Sequence, residues 1–104
     1  MSTNDKNLHS GHRERLRDKF KNGKESFKEH ELLELLLSYS IPRKDTNALA
    51  HSLINEFGSL KNVLEADVEF LSSVKGIGDN SACFLSLVGY LTKTLNKKEI
   101  SKTT

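Results

Sequence analysis

The sequence predicts an all-α domain, a bundle of five to six short helices, on three observations. Apolar residues recur at helical spacing along nearly the whole chain, no segment alternates with period two, and Val, Ile, Thr and aromatic residues never cluster as strands require. The chain is 104 residues long with 36% apolar residues, which suffices for a single core and one domain.

Residues 12–22 read as a short basic helix with Leu16 and Phe20 on one stripe, ended by Gly23 in the position that tolerates a left-handed conformation. Ser26 and Glu29 form a capping-box pattern that starts a second helix running to about Ser40. Its Leu32, Leu33, Leu35, Leu36 and Leu37 cover more than one face, so this helix is expected at the centre of the core. Pro42 disfavours helix at Ile41 and breaks the pattern there. Asp45 or Thr46 caps a third helix carrying Leu49, Leu53 and Phe57, with Gly58 closing it. Ser59 restarts a short helix through Val63, and Asp67 caps another through Leu71 to about Ser73. A long final helix is expected from about Asn80 to Leu95, with Phe84, Val88, Leu91 and Leu95 as its apolar stripe. The foldable unit is then 9–95, between mobile tails at 1–8 and 96–104.

Charge is unevenly spread: +4 over residues 1–28, −5 over 29–70 and +3 over 71–104. Arg13, Arg17 and Lys21 repeat at i, i+4 and i+8, so they lie along one side of the first helix. They fit either a phosphate backbone or the acidic middle of the chain. Cys83 is the only cysteine, which excludes an intrachain disulfide and suits a reducing, cytoplasmic compartment. The longest apolar run is three leucines, so no membrane span or signal peptide is expected.

The chain shows no Walker loop and no nucleophile elbow, and His9, His12, His30, His51 and Cys83 lack metal-ligand spacing. Glu31 and Glu34 are three apart, but with no cleft-forming loop they read as the solvent edge of the leucine-rich helix. Neither catalysis nor a cofactor or metal is expected.

The chemically informative stretch is residues 70–85, where Gly76-Ile77-Gly78 separates two amphipathic helices. Two residues without Cβ allow a sharp turn and close approach to another object. Ile77 between them would anchor in the core. The following helix starts beside the turn, with free N–H groups and a positive dipole end that suit phosphate. Leu71, Val74, Gly76, Ile77, Gly78, Ala82 and Leu85 together resemble the helix-hairpin-helix DNA-binding motif.

Five blocks extend the likeness: residues 9–17, 31–37, 41–45, 57–60 and 74–78, in the order seen at the N-terminus of RadC-like proteins, a family named for DNA repair. The resemblance covers residues 9–95. It implies two successive helix-hairpin-helix elements, the first with a degenerate hairpin at residues 41–44, and binding of duplex or branched DNA without sequence preference. The DNA-binding set implied is Lys75, Gly76, Ile77, Gly78, Asn80, Ser81, Arg43, Lys44, Arg13 and Arg17. The alternatives are a protein docking domain, or the N-terminal part of a longer protein with a JAB/MPN metalloprotease-like domain, whose zinc ligands do not occur in this chain. Asp79 departs from a phosphate-binding turn by placing a carboxylate beside it, where it would instead suit a helix cap.

Overall fold

The computed structural model describes residues 4–42 and 45–103, with side chains defined over 11–42 and 45–97. Within them run six α-helices: α1 (Asn4–Gly23), α2 (Glu29–Ser40), α3 (Thr46–Phe57), α4 (Leu60–Glu65), α5 (Val68–Ser72) and α6 (Asp79–Thr103). A 3-10 turn, Lys24–Ser26, joins α1 to α2. All-α architecture is therefore what the chain adopts.

Most boundaries follow local chemistry. The Asp45 carboxylate accepts from the amides of Asn47 and Ala48 at 3.1 and 3.2 Å, which starts α3. Gly58 ends it at φ 101°, a conformation that favours glycine, with its N–H donating to Ile54 O at 2.7 Å. The Ser59 hydroxyl accepts from Asn62 N at 3.1 Å to start α4.

Five expectations are corrected. Helix α1 begins eight residues before His12, and α6 continues eight residues past Leu95. Gly23 has φ −176°, which is extended and not left-handed, because the chain runs straight on into the 3-10 turn. Ser26 does not cap α2: its hydroxyl donates to Gly23 O at 2.8 Å inside that turn. Lys28 occupies the cap position instead, and Glu31 Oε1 accepts from the Lys28 N–H at 2.9 Å. Finally, Gly78 caps α6, its carbonyl accepting from Ala82 N at 2.9 Å, so Asp79 is the first helical residue and not the cap.

Helix α2 is central, as its leucines require. It packs against α1, α3, α4 and α6. Leu33 and Leu37 are fully buried together with Ala50, Leu53, Val63, Leu71, Ala82 and Leu85, and Ile41 and Ile77 complete the cluster. The fully inward residues of α6 are Ser81, Ala82 and Leu85; of the expected stripe Phe84 packs against the core and Val88 is half-buried, while Leu91 and Leu95 are exposed. Further along α6, Gly89 lies directly against α4. A Cβ built there would sit 1.9 Å from the Leu64 carbonyl oxygen, so only glycine lets the two helices approach this closely.

Part of the acidic middle of the chain makes internal ties. Glu31 accepts both oxygens' worth of bonds from Lys19 Nζ, at 3.0 and 2.9 Å, linking α1 to the start of α2. Glu29 Oε1 accepts from Leu60 N at 3.0 Å, linking α2 to α4. The Lys28 amide first, and then Lys19, hold the Glu31 carboxyl below its ordinary value of 4.5. A group depressed in this way contributes stability above its unfolded-state value and loses it as pH falls through the folded one. Glu31→Gln should therefore flatten the loss of stability below about pH 4.5, measured by urea unfolding from pH 7 to 3.

Candidate nucleic-acid interface

After α5, the chain turns through hydrogen bonds from Ser73 N to Phe70 O, Val74 N to Leu71 O and Ile77 N to Val74 O, at 3.2, 3.1 and 3.0 Å. The two glycines do different work in this turn. Gly76 has φ 95°, and a Cβ there would lie 2.6 Å from Leu49 Cδ2, so its role is to let the turn form and fit against α3. Gly78 has no positive φ, is exposed, and a Cβ would meet nothing within 4 Å. The space beside Gly78 is open to an outside molecule.

Ile77 is buried in the core cluster and pins the turn in place. Lys75, Gly78, Asp79 and Asn80 are exposed around it. The N–H groups of Asp79 and Asn80 belong to the first turn of α6, where no intrahelical acceptor exists. Lys75 also borders a cleft of about 470 Å³ lined by Ser52, Asn55, Glu56, Ser73 and Val74. Ser81 differs from these neighbours: its side chain is buried, with Oγ 3.3 Å from Ser40 Oγ.

That contact matters for the whole site. Ser40 is the last residue of α2 and Ser81 lies in the first turn of α6, so the C-terminal end of α2 and the start of α6 stand side by side. Arg43 and Lys44, expected as phosphate contacts, lie outside the described residues.

Arg13 is placed elsewhere than expected of a phosphate ligand. Its guanidinium donates to the carbonyl oxygens of Ser38, Ile41 and Pro42, at 3.3, 2.6 and 2.7 Å, and so caps the C-terminal end of α2. Burial, and next the like charge of Arg17, pull Arg13 below its ordinary value, while Glu34 pulls it up. The basic helix thus serves, at Arg13, to hold the first loop in shape. Arg17 is half-buried beside it.

Three features escaped the sequence. Glu34 is 1% exposed and not at a solvent edge. Its Oε1 accepts from Asn47 Nδ2 at 2.9 Å, and its Oε2 lies 2.5 Å from His12 Nε2. The attraction there is that of charge, present when His12 is protonated. His30 and His51, on α2 and α3, stack with ring centroids 4.4 Å apart. Among the described residues no three His, Cys, Asp or Glu side chains converge as a metal site would need. The third feature is Gly89, for which the signal was present: an interior helical glycine costs about 1 kcal/mol against alanine and so marks a close approach.

The family described as UPF0758 N-terminal matches residues 8–83. UPF0758 protein FN0909 of Fusobacterium nucleatum subsp. nucleatum is 52% identical over 91 residues, which are 86% of this chain and 39% of that protein. The chain thus spans about two fifths of the length of this relative. No solved structure matches. With most of its length matched and half of its residues identical to a member over that stretch, the chain belongs to the UPF0758 family, the RadC-like family that its motifs resemble.

Proposed function

We propose that this chain is a DNA-binding module in which two helix-hairpin-helix elements, α2 to α3 and α5 to α6, present adjoining turns to the phosphates of a duplex. The observation that carries the reading is the exposed Gly78 turn, backed by the amide-rich start of α6 and set against the end of α2 through Ser40 and Ser81. Phosphate oxygens would accept from the Gly78 to Asn80 amides, and Lys75 would supply charge. Asp79 opposes this attraction, so affinity should be weak, on the order of 10⁻⁴ to 10⁻⁶ M at physiological salt. With Arg13 committed to carbonyls, about two or three phosphates are neutralised, for a salt slope of roughly −2 to −3. Such a module would deliver a longer protein to DNA, and in the family that protein is expected to carry a metalloprotease-like domain and to act in the cytoplasm. No helix among the described residues is long and apolar enough to cross a membrane.

Chemical-shift mapping with a short random duplex tests the proposal. The amides of residues 76–81 should move most. Gly78→Val should abolish the shifts while leaving the fold intact, because its Cβ points into open space. Shifts that survive Gly78→Val, or no shifts at low salt, would sink the reading. A docking domain is the second reading, favoured by an apolar groove of about 360 Å³ lined by Phe20, Leu32, Leu35, Leu36, Tyr39, Leu60 and Leu64. Salt titration separates the two, since DNA binding weakens steeply with salt and a docking domain has no DNA binding to lose.

A further inference from the structure

We infer that the groove between α4 and α6 receives an acidic amphipathic helix of another protein. Helices α4 and α6 touch at Gly89, and beside this contact lies an open groove of about 650 Å³. Leu60 and Leu64, half-buried on α4, face the bare backbone at Gly89, and their uncovered area makes the floor apolar. On α6 the wall continues through Thr92, Lys93 and Lys97, at i+3, i+4 and i+8 from Gly89, so it is a single face of that helix. From Gly89 to Lys97 it runs about 12 Å, or two helical turns.

Charge selects the occupant. Lys61 stands on the α4 wall, and Lys93 and Lys97 stand on the α6 wall. All three are exposed, and none forms a hydrogen bond or ion pair among the described residues. Of the two carboxylates at the groove, Glu29 is engaged by the Leu60 amide at 3.0 Å, which leaves Glu65 against three lysines. An occupant must therefore bring apolar side chains for the floor and carboxylates for both walls. Lys93 and Lys97 are one turn apart, about 6 Å, so glutamates four residues apart on a partner helix reach both. Apolar residues at i, i+3, i+4 and i+7 of the same helix then cover the leucines.

A duplex meets only half of these demands: its phosphates match the lysines, but it has no apolar side chains for the floor, and Glu65 repels it. The groove also lies about 16 to 28 Å along α6 from the Gly78 turn, so the inference goes beyond the DNA reading and does not rest on it. Leu60 and Leu64 belong as well to the neighbouring apolar groove that reaches α2, so the apolar surface extends past the two-turn span. Two turns of helix bury less than the about 1,200 Å² of a stable interface, so an affinity on the order of 10⁻⁴ M is expected.

The test uses the 104-residue chain and a synthetic probe, a capped peptide of about 15 residues with leucines on one helical face and glutamates on both flanks. Titration followed by amide chemical shifts should saturate and move residues 60–65 and 89–97 most. The same peptide with lysine for every glutamate should bind at least about tenfold more weakly. So should a peptide of the original composition with its leucines scattered around the helix. Lys93→Glu combined with Lys97→Glu should weaken the acidic peptide at least about tenfold and admit the lysine peptide in its place. The helical circular dichroism spectrum should not change, since neither lysine has a partner to lose. No saturable shift up to about 2 mM probe, equal binding of the lysine or scattered peptide, or shifts centred elsewhere would overturn the inference. A short random duplex that moves the amides of Lys61, Lys93 and Lys97 and displaces the acidic peptide would assign these lysines to phosphate and overturn it equally.

Discussion

Gly89→Ala is expected to lower the unfolding free energy by about 2 to 4 kcal/mol, although alanine is the better helix former. The added Cβ would lie 1.9 Å from the Leu64 carbonyl oxygen and 2.8 Å from its carbon. Those are backbone atoms of α4, so no side-chain rotation relieves the clash, and the two helices must separate. Separation pulls α6 away from the α4 residues it covers, including the fully buried Val63. Propensity alone would give a gain of about 1 kcal/mol. Urea unfolding of Gly89→Ala therefore distinguishes the two effects by sign: a stabilised variant would mean that α4 and α6 do not approach as described. As a control, Cys83→Ala, at an exposed position of the same helix, should change stability by less than about 0.5 kcal/mol.

Glu34→Ala should be about as costly, at about 3 kcal/mol. The carboxylate is buried, and its removal strands Asn47 Nδ2 and takes away the countercharge facing His12 and Arg13. Breaking one partner of a buried polar set costs more than the set contributes net, because the others remain desolvated. His12 is the more exposed member, with 45% of its side chain accessible, so His12→Ala should cost distinctly less. A double-mutant cycle of the two, followed by chemical denaturation, should give a coupling of roughly 0.5 to 2 kcal/mol. Additive effects would show that His12 takes no part in holding Glu34.

The features legible in the sequence are those decided within a few residues. Asp45 caps α3 through amides two and three positions on, and Gly58 ends it through its own φ, so both ends of that helix follow from local chemistry. The turn at 74–78 was legible for the same reason, with Ile77 bound to lie inward once the flanking helices packed. What was not legible depends on partners far along the chain. Arg13 reads as one more cation of a basic helix until the carbonyls of Ser38, Ile41 and Pro42 are brought to it. Glu34 reads as a surface carboxylate because the polar groups that permit its burial come from α1 and α3. The stripe on α6 was recognised, yet periodicity reports only that a face is apolar, and not whether it meets the core or another surface. In the candidate site, the paired glycines were expected to act alike. Only Gly76 is conformationally demanding, and that distinction needs Leu49 in place.

The reach of Arg13 also bears on how the domain can be divided. Three carbonyls at the end of one helix and the start of a loop are fastened by a side chain 25 to 29 residues earlier. A fragment trimmed to begin at α2 would keep every residue of both turns and still lose the brace on one of them. The N-terminal segment is thus a structural component of a surface it does not itself form, and proteolysis within α1 would slacken that surface while leaving its sequence whole.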